Sequence, residues 1–198
     1  MQKGETKQLN VTKEAQHRVV VGLGWDPAAQ AGLLDKVQAM AKGKNLHHDL
    51  DLSCFAYDEY KAFVGQVSAV PELATMANEK IYHSGDNEEG IGEGDDEEIS
   101  VELKDLPINF VHLFFTATVT SGQTFGVVNS PEMRIADGYT DHNFLQTDLN
   151  APQAKDSNLY LFVKLSRDEN DNWSITFLDE YKQDSEIHDY EAFLRTYL

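Results

Sequence analysis

The chain has 198 residues, in which 34 Asp and Glu stand against 16 Lys and Arg, for a formal charge of −18. That length suits a single domain over residues 1–198, and 41% hydrophobic with 10% aromatic residues argues against wholesale disorder. The acidity excludes a phosphate-tracking nucleic-acid binder, and a single cysteine, Cys54, excludes an intramolecular disulfide or a thiolate zinc cage.

The first ten residues are hydrophilic and lack the apolar stretch of a secretory signal. No apolar run approaches the roughly 18 residues that span a bilayer, so a cytoplasmic location without membrane insertion is expected. Residues 18–25 (RVVVGLGW) read as a Val-rich strand. Residues 27–48 read as a partly helical insertion, because Leu33, Val37 and Met40 recur at helical spacing within 28–42. In 49–57 (DLDLSCFAY) the alternation is strict. Leu50, Leu52, Cys54 and Ala56 share one face, and Asp49, Asp51 and Ser53 share the other. One or two short helices are expected in 58–77, broken near Pro71.

Further strands are expected at 97–103, 109–120, 132–136, 143–149, 158–167 and 172–181. The apolar run 109–120 suits a central strand buried on both faces, and the DENDN stretch after Arg167 suits a hairpin turn. A terminal helix over 184–197 would lay Ile187, Tyr190, Phe193 and Leu194 on a sheet. About eight strands separated by turn signals predict a mainly β fold. The expected architecture is a β-sandwich of two antiparallel sheets with short peripheral helices.

Residues 84–98 (SGDNEEGIGEGDDEE) hold eight acidic residues, four glycines and no Lys, Arg or His. One reading is a solvated, flexible loop. The other is a metal loop, because glycines let the backbone wrap tightly and Ca²⁺ prefers six to eight oxygen ligands in flexible loops. An EF-hand starting at Asp86 fails, since Gly90 and Ile91 fall at positions 5 and 6. A calcium-binding nonapeptide would repeat, and a phosphate-cradling loop would want a Lys and a following helix.

With GLGWD at 22–26, DLDLS at 49–53, HSGDNEEGIGEGDDEE at 83–98 and GQTFGVVNSPEMRI at 122–135, the sequence resembles the TerD-type family of tellurium-resistance and general stress proteins. The likeness extends over about residues 18–180, through the strand pair around Leu159–Phe177. It implies a calcium-binding β-sandwich of the bacterial cytoplasm. Carried over, the calcium oxygens fall on Asp86, Asn87, Asp95, Asp96 and Glu97, joined by Asp49 and Asp51 of the DLD strand. Asp26 is a weaker candidate, since it could instead cap a helix opened by Pro27. The sequence departs from the family pattern in the longer 27–48 link, in Glu89 and Ile91, and in its acidic ending.

Asp49 and Asp51 would lie about 7 Å apart along their strand. His47 and His48 are adjacent and poorly placed to chelate one ion. His112 suits a satisfied core histidine, and His83 a hydrogen-bond partner of the acidic loop. Cys54 lies on the apolar face and reads as an inert thiol. No catalytic constellation or organic cofactor motif stands out. The expectation is a non-enzymatic, Ca²⁺-dependent interaction module whose partners are other stress-response proteins, membrane-associated ones included. The alternative is a Ca²⁺-dependent hydrolase or lyase acting on an anionic substrate.

Overall fold

The computed structural model describes residues 1–13, 15–28, 47–92 and 94–198. Among these, twelve strands run in chain order: β1 (Thr6–Gln8), β2 (Arg18–Asp26), β3 (Leu50–Tyr57), β4 (Phe63–Val67), β5 (Thr75–Met76), β6 (Ile81–His83), β7 (Glu97–Glu102), β8 (His112–Val119), β9 (Asn129–Asp137), β10 (Asn143–Asp148), β11 (Leu159–Arg167) and β12 (Trp173–Lys182). One short helix, α1 (Tyr190–Arg195), follows. The strands form two six-stranded sheets, ordered β1-β12-β11-β8-β3-β4 and β10-β9-β2-β7-β6-β5. Every neighbouring pair is antiparallel. The mainly β, two-sheet architecture expected from the sequence is the one observed.

The period-2 pattern decides which side chains fill the space between the sheets. Val19, Val21, Leu23 and Trp25 of β2 join Leu50, Leu52, Cys54 and Ala56 of β3 in one buried cluster. From β8, Leu113, Phe115, Ala117 and Val119 enter the same cluster, while Phe114 belongs to a second one. The two faces of this strand thus enter different buried clusters, while β11 and β3 pair with its two edges.

The second cluster explains how the chain ends. Phe55, Tyr57, Phe114, Leu159, Leu161 and Leu178 form an apolar patch with Leu194 of α1, and the Tyr190 ring stacks on Phe55 at 5.6 Å and 8°. The expected helix over 184–197 is therefore present in its packing but shorter. A 3₁₀ turn at Asp184–Glu186 comes first, and α1 starts afresh where the Asp189 carboxylate accepts the Ala192 amide at 2.9 Å.

The helices expected in 58–77 are not formed. That segment holds β4, a 3₁₀ turn at Pro71–Leu73 and β5. Tertiary pairing decides the matter, because β4 completes the ladder beside β3 from Cys54↔Val67 to Tyr57↔Phe63. The predicted helix 28–42 and most of the 27–48 insertion lie outside the described residues. At the hairpin after Arg167, the Asp168 carboxylate accepts the amides of Asn170 and Asn172, as the turn chemistry requires. No described helix is long and apolar enough to cross a membrane.

Candidate metal centre

The site begins with a mismatch in ladder length. β3 pairs with β8 along its whole course from Leu50↔Val119 to Tyr57↔His112, but with β4 only from Cys54 onward. Its first residues therefore have an open flank. Into that flank comes Glu97, the first residue of β7, with its side chain fully buried. Its Oε2 accepts the Leu52 amide at 2.7 Å and its Oε1 accepts the Asn87 amide at 3.2 Å. One carboxylate thus ties the acidic loop to β3.

His83 completes this buried group. Its Nδ1 accepts the Gly85 amide at 3.0 Å, which leaves the proton of a neutral ring on Nε2. That atom lies 3.2 Å from Glu97 Oε2, a close contact outside hydrogen-bonding geometry.

Beside Glu97, the carboxylates of Asp49, Asp51 and Asp86 converge, each offering an oxygen within 4.8 Å of the others. Asp49 and Asp51 are half-buried and Asp86 is exposed. The Oδ1 of Asp49 is buried and has no hydrogen-bond partner among the described residues. Burial pushes the Asp51 carboxyl up to about 7, with further push from Glu97, Asp49 and Asp86 and a small opposing pull from His83. Two like charges 4 Å apart repel by about 4 kcal/mol at an effective dielectric of 20. A cation would relieve that repulsion and give the orphaned oxygen a partner. The donors are all oxygens on one strand and one loop, a set that suits Ca²⁺.

The remaining residues expected to hold metal are engaged in shaping the loop. Asn87 accepts the amides of Glu89 and Gly90 through its Oδ1 and donates through Nδ2 to Asp96 Oδ1 at 3.0 Å. Asp96 Oδ2 accepts the Trp25 amide at 2.9 Å. Burial pushes the Asp96 carboxyl upward, that amide pulls it down, and the carboxylates of Asp95 and Asp26 add to the rise. Gly90 has a positive φ of 64°, and a Cβ there would come within 2.4 Å of the Trp25 indole. Only glycine fits both demands.

Asp95 turns to the opposite side. Arg134 Nε meets its two oxygens at 2.8 and 3.1 Å, and the Arg134 guanidinium also reaches Asp141 and Asn143. Asp26 is exposed and ends β2, paired with Asn129. The structure therefore gathers Asp49, Asp51 and Asp86 with Glu97 behind them. Asn87, Asp95 and Asp96 meet other partners.

The histidines follow separate courses. His48 Nδ1 lies 2.7 Å from Gln123 Oε1, while His47 lies 4.0 Å from Glu89. His112 is held by Ser166 at 2.9 Å, and burial, then Lys164 and Lys61, lower its pKa to about 4. Cys54 is free and buried, and burial pushes its thiol upward. His83 is a hydrogen-bond partner of the acidic loop, as expected, through the Gly85 amide. Its specific contact with Glu97 escapes the sequence reading, because no local spacing brings residue 83 back against residue 97. The alternation of a short strand before the loop and another after it is the signal that would have paired them.

The comparisons with known proteins bear on the family and the fold. Residues 1–185 match the TerD domain family. The chain is 32% identical over 176 residues to a tellurium resistance protein TerZ of Serratia marcescens, covering 89% of this chain and 86% of that protein. It is 31% identical to general stress protein 16U of Bacillus subtilis (strain 168), over 74% of this chain and 72% of that one. Among solved structures, a homologue of telluride resistance protein (TerD) from Streptomyces coelicolor A3(2) superposes with a TM-score of 0.67. The superposition covers 84% of this chain and 90% of that one at 19% identity, a likeness of fold alone.

Proposed function

Since the chain belongs to the TerD domain family, together with tellurium resistance and general stress proteins, we propose that it is a cytoplasmic calcium-binding protein of the stress response that works as an interaction module and not as an enzyme. The observation that carries the reading is the convergence of Asp49, Asp51 and Asp86 around a buried, unpartnered Asp49 oxygen. Ca²⁺ held there would pin the acidic loop against the open flank of β3. Glu97, already bonded to both, would keep the two halves in register. Ion binding then sets the loop's shape, and the loop surface presents itself to other stress-response proteins, membrane-associated ones included. Asn87, Asp95 and Asp96 support that shape from behind.

The test is calcium titration calorimetry with melting curves in EDTA and in excess Ca²⁺, followed by capture of partners under both conditions. Ligand at 100 times its Kd stabilises the folded state by about 2.7 kcal/mol. Saturable binding, lost in Asp51→Asn and Asp86→Ala, is expected, with partner capture that depends on the ion. Absence of binding and of any melting shift would refute the calcium reading. Turnover of an anionic substrate that disappears with Asp86→Ala would replace the interaction module with an enzyme.

A further inference from the structure

A groove runs along β3 and β8 on the face turned away from the cluster that the two sheets share. It encloses about 320 Å³, at the small end of the range for small-molecule sites. Alternation decides what its floor is made of. Leu52 and Cys54 of β3, like Phe115 and Ala117 of β8, enter the shared cluster. Asp51, Ser53, Thr116 and Thr118 therefore point the other way and line the groove, meeting across the ladder as Asp51↔Thr118 and Ser53↔Thr116. The stacked rings of Phe55 and Tyr190 supply its apolar wall.

One floor residue stands apart. Thr116 is 1% exposed, and its hydroxyl has no partner among the described residues. Unlike Asp49 Oδ1, that hydroxyl is not cut off from the exterior, and its opening is the groove that the residue lines. Buried hydroxyls in folded proteins nearly always have a partner. Ser53 and Gln66, which line the same groove, also make no side-chain hydrogen bond among the described residues. The partner that all three lack comes from whatever fills the groove.

The charges lining the groove are of one sign. Asp51 stands on the β3 side. Asp184 stands on the other, its amide bonded at 2.8 Å to the Asn158 carboxamide just before β11. No Lys, Arg or His lines the groove, and neither carboxylate pairs with a Lys or Arg among the described residues. β8 lies between β3 and β11, so the two carboxylates flank it, with their backbones about two strand spacings or roughly 10 Å apart. The Tyr190 hydroxyl donates to Asp184, which leaves that carboxylate its second oxygen. Such walls repel an anion. An ammonium is a pure donor, and every polar side chain here can accept.

We infer that this groove is a binding site for a short aliphatic diamine. One ammonium lies among Asp51, Ser53 and Thr116, the other lies at Asp184, and the methylenes run along the Phe55 and Tyr190 rings. Thr116 is the diagonal neighbour of Asp51 across the ladder, within reach of a shared ligand.

The test is a titration of putrescine into protein freed of calcium by EDTA, at pH 8 and low salt, read by calorimetry and by the amide signals of a ¹⁵N-labelled sample. Working without calcium keeps the result independent of the calcium reading. Saturable shifts are expected at the amides of Ser53, Thr116 and Thr118. Asp184→Asn keeps an acceptor for the Tyr190 hydroxyl and removes the charge, and it should weaken binding about three-fold, as for one half-exposed ion pair. Thr116→Val removes the hydroxyl at nearly constant volume and unchanged charge. It should weaken binding about ten-fold, because a hydrogen bond to a charged group contributes more than a neutral one. Melting curves check that each variant is folded, and Asp184→Asn decides alone if Thr116→Val is not. Butylamine should bind more weakly than putrescine, and butanediol more weakly still. Undiminished putrescine affinity in either folded variant would mean a general attraction to an acidic surface and would overturn the proposal. So would an affinity no greater than that of butylamine or of butanediol.

Discussion

Glu97 Oε2 accepts the backbone amide of Leu52 at 2.7 Å, which joins the first residue of β7 in one sheet to β3 in the other. The carboxylate is fully buried and touches His83 on its far side. Removing it leaves the Leu52 and Asn87 amides without their acceptor. Leaving a buried donor without its acceptor costs about 1–3 kcal/mol, so Glu97→Ala should lower the stability measured by urea denaturation by about that much. A loss under 1 kcal/mol would mean that water replaces the carboxylate freely.

Asp51 gives the protein a pH dependence of unusual sign. Its carboxyl titrates near 7 in the folded state because burial comes first and three neighbouring carboxylates add to it, whereas an unfolded Asp titrates at about 3.9. The folded state therefore holds the extra proton between those values. The favourable contribution is complete below about pH 4 and is lost as the pH rises through 7. In EDTA, urea denaturation at pH 5 and pH 8 should show this loss, and Asp51→Asn should flatten it. For the same reason Ca²⁺ must displace a proton below pH 7, so its affinity should fall with acidification. A calcium affinity equal at pH 5.5 and 7.5 would count against Asp51 as a ligand.

Gly22 is fixed by Asp95 rather than by its own backbone angles. A Cβ at position 22 would lie 2.1 Å from the Asp95 carboxyl carbon, which Arg134 clamps in place. Gly22→Ala should cost about 1–3 kcal/mol as an overpacked site. The same substitution in an Asp95→Ala background should cost much less, and equal penalties in both backgrounds would rule out the clash as the cause.

At the other end of the molecule, Leu194 is fully buried against Phe55, Tyr57 and Phe114. Leu194→Ala should cost about 2–5 kcal/mol. The cluster that Leu194 fills contains none of Asp49, Asp51 and Asp86, so calcium affinity should stay unchanged. A shift in calorimetric affinity would instead reveal coupling between the terminal segment and Asp51, which shares a cleft with Tyr190 and Asp184.

The strands with strong alternation or long apolar runs were legible in the sequence. Leu50 to Ala56 in β3 and Leu113 to Val119 in β8 announce their buried faces by composition alone. The short strands were not. Thr6–Gln8 is a polar triplet that becomes β1 only by pairing with Ser174 to Thr176, and Phe63–Val67 gains its strand state from β3. Within the candidate site, the family resemblance brought Asp49, Asp51 and Asp86 into one list with Asn87, Asp95, Asp96 and Glu97. What separates them is long-range. Arg134 lies 39 residues from Asp95, and Trp25 lies 71 residues from Asp96, distances over which no local spacing rule operates.

The sheet order has a further consequence for behaviour at high concentration. One sheet ends in β1, three residues long, and the other in β5, two residues long. Unpaired outer strands are where separate copies add to one another, and very short ones offer little backbone to copy. β10, a third outer strand, carries Asn143, Gln146, Thr147 and Asp148, a polar row that discourages apolar stacking. With −18 charges on every molecule, approaching copies also repel. β4, the fourth outer strand, is five residues long and carries no charged side chain, so strand addition between copies would fall to that edge, against this repulsion.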